Sequence, residues 1–245
     1  GRNLPGLDKT IRFTEKGRAL GLGQAGLHTL FMQKMIPFES FEAHMLSNKI
    51  ASQIQKQAKE ASKSLAENLG EPEWCKGYGV RNTHLIAIAP TKSTALIMGG
   101  ISEGINPDPA MSFTQMTAAG EVDRLNPILL ELMKRKGVFT PKHVKEITEA
   151  RGSVQKVQWL DENEKAVFKT AFEMNQTAIT RLTAARQNFI DQGQSMNYFF
   201  SAEEDEAWVA QVIQESFMNP KIYSIYYAYS LSGVSASKDT CEACM

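Results

Sequence analysis

The chain has 245 residues, and its 27 Lys and Arg balance its 27 Asp and Glu. That neutrality argues against direct nucleic-acid binding, which needs surplus cations for the phosphates. No run approaches the roughly 20 apolar residues of a bilayer span, residues 1–10 carry no signal-peptide core, and three cysteines are too few for a disulfide framework, so no membrane and a reducing, cytoplasmic setting are expected.

In chain order, residues 14–35 read as a helix through the spacing of Leu20, Leu27, Leu30 and Phe31. Gly17, Gly21, Gly23 and Gly26 fall inside it, and each weakens a helix by about 1 kcal/mol relative to alanine. Close approach of another backbone would repay that cost. Pro37 suits the start of a second helix, running to Leu69 with Phe41, Met45, Ile50, Ile54, Ala58, Ala61, Leu65 and Leu69 as its buried stripe. Gly70 is its natural stop. Residues 71–79 are loop-like, and 84–89 form a short apolar run closed by Pro90, as in a buried strand. Residues 90–100 read as a turn feeding a short helix, and 111–117 as a strand. Helices are expected over 126–136, 141–150 and, as one long element, 161–191. Strand 195–200, helix 203–217 and strand 222–230 then make a βαβ unit with parallel pairing. The whole is helix-rich α/β.

Three places carry candidate chemistry. Pro90, Thr91, Lys92, Ser93, Thr94 and Ala95 follow an apolar strand and open a helix, where free N–H groups suit a phosphate. The plainer reading is a Ser/Thr helix cap, and taken alone it has precedence. The segment is not a Walker motif. Tyr226 and Tyr227 sit on the last strand beside Tyr223 and Tyr229; neighbours on a strand face opposite ways, so one would be buried and the other point out. Aromatic packing is the plainer account of them. Cys241 and Cys244 form a C-x-x-C pair on a small, polar tail, able to close or exchange a disulfide. Half a zinc site or an incidental tail are the alternatives. Cys75, beside Trp74, reads as a structural thiol.

The combination resembles the C-terminal part of the large (α) subunit of class I ribonucleotide reductase. Arg18, Leu20, Gly21, Leu22, Gly23 and Gly26 resemble the family's R-x-[IL]-G-[IL]-G-x-x-G segment. The run from Pro37 to Ser40, Arg81 and Asn82 ahead of Pro90 to Ala95, and Glu103 to Pro107 follow in family order. Asn126, Pro127, Leu129 and Leu130, then Phe189 to Gln192, Gln194 and Ser195, the Tyr226–Tyr227 pair and the terminal cysteines complete it.

The resemblance implies the second half of a ten-stranded α/β barrel over residues 1–229, and a flexible redox tail over 230–245. It implies that Thr91 to Ala95 hold the diphosphate of a ribonucleoside diphosphate. Tyr226 and Tyr227 would pass an electron hole between subunits. Cys241 and Cys244 would reduce an active-site disulfide and then be reduced by thioredoxin or glutaredoxin. No cofactor would be bound by this chain: the di-iron tyrosyl radical belongs to the small (β) subunit, and nucleotide effectors to the N-terminal part. The radical cysteine, the redox cysteine pair and the catalytic Asn and Glu of the family precede the matched region, so a partner carrying the N-terminal piece is expected. Rival readings are a non-catalytic remnant that binds the small subunit, and a stand-alone thiol oxidoreductase. The latter fits poorly, because thioredoxin-like proteins place C-x-x-C at a helix start.

Overall fold

A computed structural model describes residues 5–117 and 120–231. The first helix, α1 (Asp8–Gly17), ends where Arg18 turns left-handed at φ 50°. The expected helix over 14–35 does not form. Residues 18–23 run extended instead: Leu20 N donates to His84 O at 2.9 Å, Leu22 N to Leu85 O at 2.8 Å, and Ala87 N to Leu22 O at 3.0 Å. Helix resumes at α2 (Leu27–Gln33), after Gly26 at φ 77°. The glycines do mark close backbone approach, but of a strand: a Cβ on Gly23 would lie 2.9 Å from Ala87 O.

The long helix α3 (Phe41–Leu69) starts four residues later than Pro37 suggests, capped by Ser40, whose hydroxyl accepts Ala43 N at 3.1 Å. Gly70 stops it as expected, with its N–H on Ala66 O. Its buried positions are Ala43, Ser47, Ala51, Ala58, Ser62 and Ala66, flanked by partly buried Leu46, Ile50 and Ile54. The expected stripe is thus rotated, and Phe41 stays 78% exposed. Small side chains let neighbours come near enough to bond the helix: Ser62 Oγ accepts from Arg81 N and Asn82 N and donates to Asn82 Oδ1.

After a 3-10 turn at Glu73–Cys75, the apolar run ending at Ala89 leads into α4 (Lys92–Ile97). A hairpin follows, β1 (Ser112–Thr117) antiparallel to β2 (Gly120–Leu125); its second strand has no counterpart in the sequence reading. Next come α5 (Pro127–Arg135) and α6 (Pro141–Glu149), each with proline in its first turn. The expected long helix over 161–191 is broken into α7 (Glu162–Val167), a 3-10 turn at Ala171–Glu173, α8 (Gln176–Arg186) and a second 3-10 turn at Gln187–Phe189. Local caps cause the breaks. Asp161 with Glu164 and Thr170 with Glu173 close reciprocal capping boxes, and Asn175 caps α8. Strand β3 (Asn197–Ser201), helix α9 (Glu206–Met218) and strand β4 (Tyr227–Leu231) form the expected parallel βαβ unit, with Asn197 opposite Tyr227 and Phe199 opposite Tyr229.

Parallel bridges join Leu22 to Ile86 and Ile88 to Gln194. With β3 and β4 they make a parallel array in the order 20s, 80s, 190s, 220s. Helices α3, α8 and α9 cover one side. There Tyr198 hydrogen-bonds Thr180 of α8 and Ser216 of α9 through its hydroxyl. One cluster, including Phe31, Phe38, Ile179, Tyr198 and Phe200, fills that side; a second, around Leu129, Met133, Ile147 and Phe168, supports the hairpin end. Among the described residues no helix is long and apolar enough to cross a membrane.

Candidate functional site

The strand ending at Ala89 delivers the chain to Pro90 and then to Thr91, which takes a left-handed conformation, φ 60° and ψ 23°. Thr91 occupies the cap position of α4, yet its side chain does not cap the helix. Its Oγ1 instead accepts Gly104 N at 2.9 Å. The plain capping account therefore does not explain this threonine. The first turn of a helix offers N–H groups that its own carbonyls do not take up, and here the Ser93 and Thr94 side chains are exposed.

Gly104 fixes the back of the turn. At φ 52°, a Cβ there would sit 2.9 Å from Ala89 O. Beside it, burial pushes the Glu103 carboxyl above its ordinary value while the Lys92 ammonium counteracts the shift. Asn106 ties this loop to the sheet: its Nδ2 donates to Ser195 O and its Oδ1 accepts Asn197 N, each at 2.9 Å. Behind the loop, Asp108 N donates to His28 Nδ1 at 2.9 Å, and Asn126 Nδ2 donates to Asp108 Oδ2 at 3.0 Å. Burial raises the Asp108 carboxyl to about 7, helped by Glu103 and opposed by Asn126. Burial lowers His28 to about 3.

Residues 193–196 link the turn to the tyrosines. Ile88 N donates to Gly193 O, Ser195 N to Ile88 O, Ser224 Oγ to Gln194 O and Tyr226 N to Met196 O. Arg186 anchors this segment from the helix side. Its Nε donates to Gln194 Oε1 at 3.1 Å and its Nη1 to Ser47 Oγ at 2.7 Å. It forms no ion pair among the described residues, and burial brings its pKa down to about 9. Asp191 fastens the neighbouring strand: its carboxylate accepts Leu85 N at 2.8 Å and Ile86 N at 2.9 Å.

Tyr226 and Tyr227 do not divide into one buried and one outward residue, as strict alternation implies. Tyr226 precedes β4, so alternation does not bind it; the two are 46% and 49% exposed, with ring centroids 4.2 Å apart. A hydrogen bond to Tyr227, and then its proximity, hold the Tyr226 phenol above its ordinary pKa. Cys241, Cys244 and most of the 230–245 tail lie outside the described residues. Cys75 is buried and free.

The family model of the ribonucleotide reductase barrel domain matches residues 5–77 and 72–228. The chain belongs to that family. It is 33% identical over 234 residues to the putative ribonucleoside-diphosphate reductase large subunit of Frog virus 3, covering 96% of this chain and 41% of the relative. It is 31% identical over 217 residues to the ribonucleoside-diphosphate reductase large subunit of Dictyostelium discoideum, covering 75% of this chain and 25% of that one. The solved class Id ribonucleotide reductase alpha subunit of Actinobacillus ureae superposes with a TM-score of 0.86 at 37% identity, over 95% of this chain and 42% of the other. The chain thus spans less than half the length of these relatives, and its helix-rich α/β fold is a portion of the reductase barrel.

Asn106, Asp191 and Gln194 fall inside the motifs that carried the family resemblance, where no role was expected of them. Arg186, His28 and Asp108 fall outside those motifs. Apart from Thr183 beside Arg186, their partners lie 8 to 139 residues away in the chain, so no local pattern announces them.

Proposed function

We propose that this chain is the C-terminal portion of the catalytic large subunit of a ribonucleoside-diphosphate reductase, active only in a complex. The observation that carries the reading is that the anion-ready turn and the touching tyrosine pair are both fastened to residues 193–196. Pro90, Thr91, Lys92, Ser93, Thr94 and Ala95 bind the substrate diphosphate. Backbone N–H groups at the start of α4 meet its oxygens, and Lys92 adds a positive charge. Glu103 lies near enough to Lys92 to interact with its ammonium, so substrate oxygens and this carboxylate compete for one cation.

Tyr226 and Tyr227 pass an electron hole, each phenol giving up its proton as it is oxidised and regaining it on reduction. The oxidising radical comes from a di-iron tyrosyl centre in the small (β) subunit, which is a partner's group. The N-terminal half of the barrel supplies the substrate-attacking cysteine radical and the effector sites. Leu20, Leu22 and Ile97 are exposed apolar side chains on this chain, and they suit burial against that half. Cys241 and Cys244 return the active-site disulfide to thiols and are re-reduced by thioredoxin or glutaredoxin. Deoxyribonucleotide supply in the cytoplasm is the resulting role.

CDP reduction by this chain, the N-terminal piece and the small subunit together tests the reading. Deoxynucleotide should form in the full mixture, and should fall to background with Tyr226→Phe. Cys241→Ser should stop multiple turnovers with a protein reductant while sparing the first turnover. No product in the full mixture, with the small subunit still bound, would favour a non-catalytic partner of that subunit.

A further inference from the structure

Three tyrosines, not two, stand in ring contact at the last strand. Beyond the Tyr226–Tyr227 pair, Tyr227 and Tyr229 have centroids 5.5 Å apart at an interplanar angle of 41°. Tyr229 stacks on Phe199 at 5.2 Å, and Phe199 meets Phe172 edge-on at 5.4 Å. These separations are those of rings in direct contact. Strand geometry produces the arrangement. Residues two apart share a face, which sets Tyr229 beside Tyr227, and the parallel register puts Phe199 opposite Tyr229.

Phenols lose an electron and a proton together at potentials a phenyl ring cannot reach. The oxidisable run is therefore Tyr226–Tyr227–Tyr229, and Phe199 closes it. Tyr227 lies in the middle, so a hole on it has two exits. One leads to Tyr226, which is bonded to Met196 in the segment that holds the phosphate turn. The other leads to Tyr229, whose ring stacks on Phe199. The Tyr229 hydroxyl adds proton and redox chemistry that a phenyl ring lacks.

We propose that Tyr229 is a third redox-active tyrosine, a side branch that takes the hole from Tyr227 and returns it. The inference rests on the radical-transfer reading of Tyr226 and Tyr227. In the step, the Tyr227 phenoxyl gains one electron and one proton, forming its O–H bond. Tyr229 loses one electron and its phenolic proton, breaking its O–H bond. The oxidant is the radical that the small subunit has already passed to Tyr227. The branch lets a hole wait one residue from the path while the phosphate turn is empty.

The experiment places 3-aminotyrosine, a more easily oxidised analogue, at 226, 227 or 229 in the assembly of this chain, the N-terminal piece and the small subunit. Radicals are read by electron paramagnetic resonance after adding CDP and effector. An aminotyrosyl signal is expected at 229 as well as at 226 and 227. The signal at 229 should persist in Tyr226→Phe and drop at least tenfold in Tyr227→Phe. A signal at 226 and 227 with none at 229, or one at 229 that survives Tyr227→Phe, overturns the branch and leaves the parent reading standing. No signal at any of the three positions overturns the parent reading itself.

Discussion

The Thr91 hydroxyl accepts the Gly104 N–H at 2.9 Å instead of capping its own helix. The bond holds the 103–107 loop against the turn that opens α4. Thr91→Val keeps the shape and removes the acceptor, orphaning Gly104 N. Chemical denaturation should show a loss of about 1–2 kcal/mol. If the turn binds the substrate diphosphate as proposed, the KM for CDP in the assembled complex should rise more than kcat falls.

Gly23→Ala tests the strand that replaced the expected helix. Its Cβ would meet Ala87 O at 2.9 Å, a backbone atom with little room to yield. The expected loss is about 1–3 kcal/mol in a denaturation experiment. Were residues 18–23 helical, the same change would stabilise by about 1 kcal/mol, so the sign decides.

Asp108 and the buried His28 give opposed pH dependences. Asp108 moves from 3.8 to about 7 on folding, so between those values the folded chain holds a proton that the unfolded chain has lost. Its contribution is full below pH 3.8 and falls as pH rises through 7. His28 moves from 6.5 to about 3, so its contribution is full above pH 6.5 and is lost as pH falls through 3. The two slopes cancel over much of pH 4–6.5. Asp108→Asn should therefore leave stability rising with pH across that window, and His28→Gln should leave it falling. Each slope should approach about 1.4 kcal/mol per pH unit, measured by denaturation at several pH values.

Arg186 is fully buried without a carboxylate partner among the described residues, and three neutral oxygens, on Gln194, Ser47 and Thr183, accept from it. Arg186→Leu leaves those acceptors unpaired and should cost about 2–4 kcal/mol in the isolated chain. Arg186→Lys keeps the charge but loses the planar fork, and should recover part of the loss.

Asp191→Asn keeps the size of the side chain but removes the charge behind two backbone bonds, to Leu85 N and Ile86 N. A loss of about 1–2 kcal/mol is expected. Hydrogen exchange should show faster exchange at those two amides while the amides of α3 keep their protection.

Much of the molecule was legible beforehand for local reasons. The helices α5 and α6 follow from proline in the first turn and caps at Asn126 and Thr140. The strand before Pro90 and the parallel βαβ unit follow from short apolar runs set on either side of a helical period. The break-up of 161–191 was legible too, in Thr170, Asn175 and the paired Glu173, but an overall helical period outweighed those caps in the reading. The turn at 90–95 that opens α4 was legible as a segment; that Thr91 bonds Gly104 instead of capping was not, because the partner lies 13 residues on.

The sequence by itself determined the family, the order of the motifs, and the places where helices must stop, since side chains within a few residues of a backbone group decide those. The tertiary structure decided whether residues 18–23 are helix or strand, which face of α3 is buried, and that Tyr226, Tyr227 and Tyr229 touch. For 18–23, the glycines make helix costly and the backbone finds its partners on residues 84–87, far away in the chain. For α3, large apolar side chains mark one face, but the hydrogen bonds of Ser47 with Arg186 and of Ser62 with Asn82 fix another. A helical period says that a face exists; the partner that packs on it selects which one.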